Sequence, residues 1–301
     1  MKILFIFRAN TGNWGYLLRK AIEDHTPHQA RTISYFKCWL EFDHDIFQPD
    51  EATLRKWYQW ADVVNYHDAA VRHVPSCIRD ARPGVVTYHQ VGYRRDPASY
   101  QKVAKLYNWV ETASTIDLTF HGASWLPRPQ PPYSGLWKPY PGRFIVGQAP
   151  TKRERKSTAE IERIVRGISG VELDVVEQTP YAECIQRKAH WNLCVDQFAQ
   201  GLGFGSTSLE AWAYGYPALS HAVDAHVTQK IKATIGYLPY YDTTLAQLRL
   251  HIERLRDSPK AWRGWARRGR QYVRDYHHPE KVAKLLVAYC EQAIARHRGQ
   301  D

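Results

Sequence analysis

The sequence predicts an α/β protein built from two doubly wound domains that face each other. Three observations point there. Short apolar runs rich in β-branched and aromatic residues alternate with helical stretches from the N-terminal end. A proline-dense block at 127–142 interrupts the alternation. Beyond it the alternation resumes. At 301 residues, 44% hydrophobic and 24% charged, the chain has a globular composition and is long for one core.

The elements follow in order. Lys2–Phe7 reads as a buried parallel strand; Asn10-Thr11-Gly12-Asn13 supplies turn residues, and Tyr16–Glu23 a helix. Leu54–Trp60 reads as helix, and Asp62–Tyr66 as a strand ending at His67-Asp68. Pro83-Gly84 introduces the strand Val85–Tyr88, which ends at His89; a helix over Ala98–Val110 and a strand over Thr115–Phe120, ending at His121, complete the first half. The break contains Pro127, Pro129, Pro131, Pro132, Pro139 and Pro141 with Gly135 and Gly142. After it come strand Arg143–Val146, helix Thr158–Gly167, strand Val171–Val176, helix Tyr181–Ala189 and strand Trp191–Val195. A glycine-rich loop leads to a helix near Thr207, a short strand Leu219–His221, helices over 243–256 and 259–275, and a last one from Pro279 to His297. The expected division is residues 1–138, 139–276 and a helical tail 277–301.

Composition narrows the function classes. The apolar run Ile3–Phe7 stops at Arg8, too short for a signal-peptide core or a membrane span, so a cytoplasmic protein is expected, with the inner membrane surface as the alternative. Five scattered cysteines, none in a Cys-x-x-Cys pair, fit buried thiols better than disulfides or zinc. Lys plus Arg exceeds Asp plus Glu by 11, and the excess is split evenly: 18 basic against 13 acidic residues in 1–150, 23 against 17 in 151–301. A field spread over the body attracts polyanions, so a nucleic acid or an anionic membrane surface is a candidate partner.

Ligands of doubly wound sheets bind beyond the carboxyl ends of the strands. Two such loops carry chemistry. In Gly201-Leu202-Gly203-Phe204-Gly205-Ser206-Thr207-Ser208-Leu209-Glu210, a glycine-rich turn enters a helix, where free amides and the helix dipole favour an anion. Glu210 cannot hold a phosphate but can accept hydrogen bonds from the two ribose hydroxyls of a nucleotide. Pro150-Thr151-Lys152-Arg153-Glu154-Arg155-Lys156-Ser157 places four cations in five positions before a helix, a candidate diphosphate clamp. Together they point to a nucleotide diphosphate. Asp43-His44-Asp45 and the group His221, Asp224, His226 are weak metal candidates, and neither a Walker A loop nor a Gly-x-Ser-x-Gly elbow occurs. No metal or other cofactor is expected. Arg263, Arg267, Arg268, Arg270 and Arg274 stud one late helix beside Trp262 and Trp265, either as a solvated face or as a polyanion contact.

The segment Glu210-Ala211-Trp212-Ala213-Tyr214-Gly215-Tyr216-Pro217 resembles the Glu-Ala-x-Ala-x-Gly-x-Pro signature of glycosyltransferase family 4 and its relatives with the GT-B fold, two facing Rossmann-like domains. Arg153 and Lys156 resemble the phosphate-binding pair of that family. Val86-Thr87-Tyr88-His89 is similar to its acceptor-domain strand, Trp125-Leu126-Pro127-Arg128-Pro129 to the segment before its linker, and Tyr272-Val273 with the final helix to its tail, which implies a C-terminal helix returning to the first domain. Two positions depart: Leu202 stands where the family often has a first glutamate, and Ser157 where a glycine usually follows the lysine.

The resemblance implies a retaining transfer of sugar from a nucleotide-diphosphate sugar to an acceptor hydroxyl, in which the leaving phosphate helps deprotonate the acceptor. It implies catalytic roles for His89, Arg153 and Lys156. Donor contacts fall on Gly12, Asn13, Thr151, Thr179, Gly205, Ser206, Thr207 and Glu210, and acceptor-side positions on Asn10, Arg94 and Arg95. A glycan or lipid-linked sugar is the expected acceptor; a hydroxymethylated pyrimidine in DNA is the alternative. A sugar-nucleotide epimerase and a non-catalytic nucleic-acid-binding protein are the rival classes.

Overall fold

The computed structural model describes all residues except Thr11, Trp39, Asp80, Ala81, Gln90, 134–142, 200–202, Gln300 and Asp301. The chain forms two compact units: Met1–Pro129 with His277–Asp301, and Gln130–Tyr276. The chain thus changes units at Pro129, nine residues before the expected boundary at 138, which lies outside the described residues together with Gly135, Pro139, Pro141 and Gly142.

The first unit is a seven-stranded parallel sheet of β1 (Lys2–Ala9), β2 (Gln29–Phe36), β3 (Ile46–Phe47), β4 (Val63–His67), β5 (Gly84–Tyr88), β6 (Val110–Ala113) and β7 (Ser124–Trp125). The order is β3-β2-β1-β4-β5-β6-β7, so the direction of winding reverses between β1 and β4. β1, β4 and β5 are near-continuous apolar runs because both faces of the sheet are covered. Leu4, Ile6, Val64, Tyr66 and Val86 pack on one face. On the other, Ile3, Phe5 and Val85 meet Val282, Ala283, Leu286 and Cys290 of the C-terminal helix Pro279–His297. Burying each of those Val and Leu side chains is worth about 1.5–3 kcal/mol, which ties the tail to this unit.

The second unit is a five-stranded parallel sheet of β8 (Phe144–Gln148), β9 (Val171–Val175), β10 (Leu193–Val195), β11 (Ala218–Ser220) and β12 (Tyr241–Asp242). Its order, β12-β11-β10-β8-β9, reverses between β8 and β10. Gly147 of β8 lies flat under Trp191: a Cβ there would sit 1.7 Å from the indole. Helix Pro259–Tyr272 buries Trp262, Ala266, Gly269 and Tyr272, and Trp262 Nε1 donates to the Asn192 carbonyl at 2.7 Å.

Several expectations need correction. Thr115–Phe120 is not a strand: Ile116–His121 is a 3-10 turn, and His121 therefore leaves the row of strand ends. The strand of that region is Val110–Ala113, paired with β5. The preceding helix stops at Leu106 rather than Val110, because Asn108 at φ 50° turns the chain into β6. The helix over 259–275 ends as α-helix at Tyr272 and continues as a π turn, Val273–His277. β2, β3, β12 and the helix Ala225–Ile235 were not anticipated. Among the described residues no helix is long and apolar enough to cross a membrane.

Candidate functional site

In the second unit, the loops that follow β8 and β10 flank the reversal point, where a doubly wound sheet opens a crevice. Of the four loop cations, Lys152 and Arg155 are exposed and Thr151 stands in solvent beside them. Lys156 turns inward, is 8% exposed, and forms an ion pair with Asp196, the residue after β10. Asp196 also accepts from the Gly205 amide at 2.7 Å and from the Ser208 hydroxyl at 2.7 Å. Burial pushes its pKa up, but Lys156 and these donors outweigh burial and hold the carboxyl below its ordinary value. One buried carboxylate thus binds the cationic loop to the glycine loop.

A Cβ on Gly205 would lie 3.0 Å from Gln197 Nε2 and 3.2 Å from Asp196 Oδ2, a tight fit that either side chain would have to yield to. Gly205 precedes helix Ser206–Tyr214 without a side-chain cap, so the first helix amides, at Ser206 and Thr207, lack intrahelical acceptors. Thr207 is buried and Ser206 half-buried. Gly201 and Leu202 lie outside the described residues. Arg153 pairs with Glu162 at 2.6 Å and with Glu177, whose carbonyl accepts the Thr179 hydroxyl at 2.9 Å. Lys156, Gly205, Ser206 and Thr207 therefore share one hydrogen-bonded neighbourhood, and Arg153 and Thr179 a second through Glu177. Next to Lys156, the Thr158 hydroxyl and Gln148 Oε1 are buried without a partner, while Gln148 Nε2 donates to the Lys156 carbonyl at 2.9 Å.

Glu210 is 3% exposed; its Oε2 meets Lys188 Nζ at 2.5 Å and its Oε1 accepts from the Tyr181 hydroxyl at 3.3 Å. Burial works against the Lys188 charge, yet Glu210 more than offsets it and keeps the ammonium above its ordinary pKa. Asp196 and Lys188 had not been singled out in the sequence. Nothing in local spacing marks them, since Asp196 follows a neighbouring strand and Lys188 ends the separate helix Tyr181–Lys188.

In the first unit, the reversal point lies between β1 and β4. Asn10 Oδ1 accepts from the Gly15 amide at 3.2 Å, the Gly12 carbonyl accepts from Arg128 at 3.0 Å, and Asn13 starts helix Trp14–His25 at φ 56°. His67, at the end of β4, meets His89, just past β5, with Nδ1 of the first 2.5 Å from Nε2 of the second. Phe7 stacks on His67 at 3.9 Å, and the Asp68 carboxylate accepts the His89 amide at 2.7 Å. His67 Nε2, His89 Nδ1 and Asn10 Nδ2 are buried and without partners. Asn10 and His89 thus each carry an unanswered polar atom. Arg94 is held by the buried Asp117 at 2.6 Å and Arg95 is exposed.

Asn13, Asp68 and Ser157 hold φ of 56°, 52° and 51°, the left-handed region that costs a residue with a Cβ about 1–2 kcal/mol. All three sit in loops at the reversal points, and such strain concentrates at functional loops. Ser157 thus takes the backbone conformation that a glycine would enter freely.

The weaker candidates are structural. Asp45 pairs with Arg19 and accepts the Thr32 amide at 2.8 Å, Asp224 caps helix Ala225–Ile235, and His221 bonds Asp242 at 2.9 Å. Among the described residues no group of three or more His, Cys, Asp or Glu could hold a metal ion.

Burial sets a pH dependence. His89 and His277 are pushed down to about 3, and burial followed by the neighbouring His89 holds His67 well below its ordinary value. Between the folded pKa and the unfolded value near 6.5 only the unfolded chain binds the proton. Stability is therefore complete above about pH 6.5 and falls as the pH drops. His67 and His277, 3% and 2% exposed, each contribute a loss of about 1.4 kcal/mol per pH unit in that window. Urea melts at pH 7, 6 and 5 are expected to show a steadily falling midpoint for the first unit; an unchanged midpoint at pH 5 contradicts neutral buried rings.

No protein-family model and no curated protein sequence matches the chain. Solved structures do. An α-glucosyltransferase in complex with UDP and a 13-mer DNA containing an HMU base aligns at TM-score 0.71 and 9% identity, over 96% of this chain and 99% of that one. HepE of Anabaena, in complex with UDP and glucose, aligns at 0.70 and 13%, over 97% and 100%. Sucrose-phosphate synthase of Thermosynechococcus elongatus aligns at 0.65 and 14%, over 98% and 100%. At such identities the likeness is one of architecture, and it spans essentially the whole chain: this protein has the two-domain GT-B fold.

Proposed function

We propose that the protein is a glycosyltransferase that moves a sugar from a nucleotide-diphosphate sugar to an acceptor hydroxyl with retention of configuration. The observation that carries this reading is the assembly at the reversal point of the second unit, where Lys156 and the uncapped start of helix Ser206–Tyr214 are fastened together by Asp196. An ammonium has three N–H donors and Asp196 takes one, so the other two are available to a phosphate. As the glycosidic bond breaks, negative charge grows on the leaving phosphate. Lys156, Arg153 and the amides of Ser206 and Thr207 stabilise it without rearranging, which is usually the largest catalytic contribution. The phosphate then takes the acceptor proton, so no protein base is needed. In the first unit, His89, Asn10, Gly12 and Asn13 serve to position the sugar and the acceptor. Fixed cations take the place of a divalent ion, and the reaction is proposed to be metal-independent.

The acceptor proposed first is a glycan or a lipid-linked sugar. A hydroxymethylated pyrimidine in DNA is the second reading, favoured by the net charge of +11 and by the likeness to a structure that holds DNA. Thermal shift with UDP and a panel of sugar nucleotides in EDTA tests the donor site. Saturation at about 100 times the Kd should add about 2.7 kcal/mol. The absence of a shift with every nucleotide, or a shift that requires manganese or magnesium, contradicts the reading. Product analysis separates transfer from epimerisation.

A further inference from the structure

We propose that the arginine face of helix Pro259–Tyr272 docks the phosphate backbone of double-stranded nucleic acid. Trp262, Ala266 and Gly269 recur at helical spacing and are buried, with Gly269 so close to Trp212 that a Cβ would lie 2.1 Å from its indole. The seating fixes which way the helix faces. Arg263, Arg267 and Arg270, one position later in each case, form an exposed row about 10 Å long.

The row is unneutralised. The helix contains no Asp or Glu, and among the described residues none of these three arginines lies within ion-pair distance of a carboxylate. On three other helices a cation is answered within its own helix: Lys20 pairs with Asp24, Arg55 with Glu51, and Lys284 with Glu280. Like charges four residues apart weaken a helix, so the row opposes local stability.

Its chemistry selects the partner. A 10 Å row cannot converge on a single phosphate but matches an extended polyanion, which presents one charge per about 3.4 Å of each strand. Guanidinium forks suit phosphate oxygens in pairs. A membrane surface fits less well, because the exposed large apolar residues, Phe36, Leu106, Phe120, Val223 and Leu250, are all off this helix, leaving no wedge to enter a bilayer. Arg263 also lines a groove of about 520 Å³ with Phe144 and Asn192, at the amino ends of β8 and β10. Lys156 and Gly205 follow the carboxyl ends of the same strands, and Tyr272, at the other end of the helix, meets Phe204 of the glycine loop edge-on at 5.6 Å, so the row starts at the end of the sheet far from the donor loops and runs toward them.

Fluorescence anisotropy of the full chain with a 20-base-pair duplex from 50 to 300 mM salt tests the proposal, comparing wild type with R263Q/R267Q/R270Q and R263K/R267K/R270K. Wild type is expected to bind at 50 mM, with log affinity falling linearly against log salt. The glutamine variant should lose about 2.7 from the slope and at least about a hundredfold in affinity at 50 mM, while the lysine variant keeps the slope, because the slope counts charges. The UDP-dependent thermal shift should not change in either variant. An unchanged slope in the glutamine variant overturns the proposal, as does a wild type that ignores duplex but sediments with vesicles of anionic phospholipid. Failure of the donor site shows instead as a missing UDP shift with duplex binding intact.

Discussion

Lys156→Ala is expected to cost about 3–5 kcal/mol of stability in the second unit, because it leaves Asp196, 1% exposed, as an uncompensated buried charge. The damage spreads beyond one pair. Asp196 anchors the Gly205 amide and the Ser208 hydroxyl, so a carboxyl forced to protonate also loosens the loop that presents the Ser206 and Thr207 amides. Two further variants separate folding from donor binding. Lys156→Met with Asp196→Asn removes both charges and should regain most of the stability, since replacing a buried pair by neutral groups is often close to neutral. It should not regain the UDP-dependent thermal shift, because the cation for the phosphate is gone. Urea melts with and without UDP measure both quantities. A wild-type melting profile for the alanine variant would show that Lys156 is not the partner on which Asp196 depends, and a full UDP shift in the double variant would take Lys156 out of the donor site.

Which parts of this were legible in the sequence follows from the range of the interactions involved. β1, β4, β5 and the second half of β8 could be read because a strand buried on both faces writes its burial into consecutive residues. β2 could not, because its buried Thr32 reads as polar and is satisfied by Asp45, 13 residues on. The false strand at Thr115–Phe120 arose in the same way. Its hydropathy suits either conformation, and what permits a tight turn with Asp117 inside is Arg94, 23 residues earlier.

The site divides along the same line. The cationic loop and the glycine turn are local features and could be found; the carboxylates that orient them could not. Asp196 lies 40 residues from Lys156, and Glu177 lies 24 from Arg153. Those meetings depend on β8 lying between β9 and β10, which is a property of strand order rather than of spacing. The same holds for His67, 22 residues from His89 and brought to it by the pairing of β4 with β5.

Glu210 shows how a motif can hide a second role. The signature around it invites a donor-binding reading, and Glu210→Ala would then remove transfer and leave the fold intact. The structure changes that expectation, because Glu210 is also the counter-charge of Lys188, which is 4% exposed. Alanine at 210 should therefore cost about 3–5 kcal/mol through the stranded ammonium, and Lys188→Ala a similar amount through the stranded carboxylate. Glu210→Gln with Lys188→Met keeps the shapes and removes both charges, so its stability should return close to that of wild type. The donor effect can then be read by itself. If Glu210 also accepts the ribose hydroxyls, the double variant folds normally but binds UDP about tenfold or more weakly, as befits the loss of charged hydrogen bonds worth about 1.5–3 kcal/mol. Calorimetric titration with UDP decides it: wild-type affinity in a stable double variant confines Glu210 to holding Lys188, and a weakened affinity there assigns it both tasks.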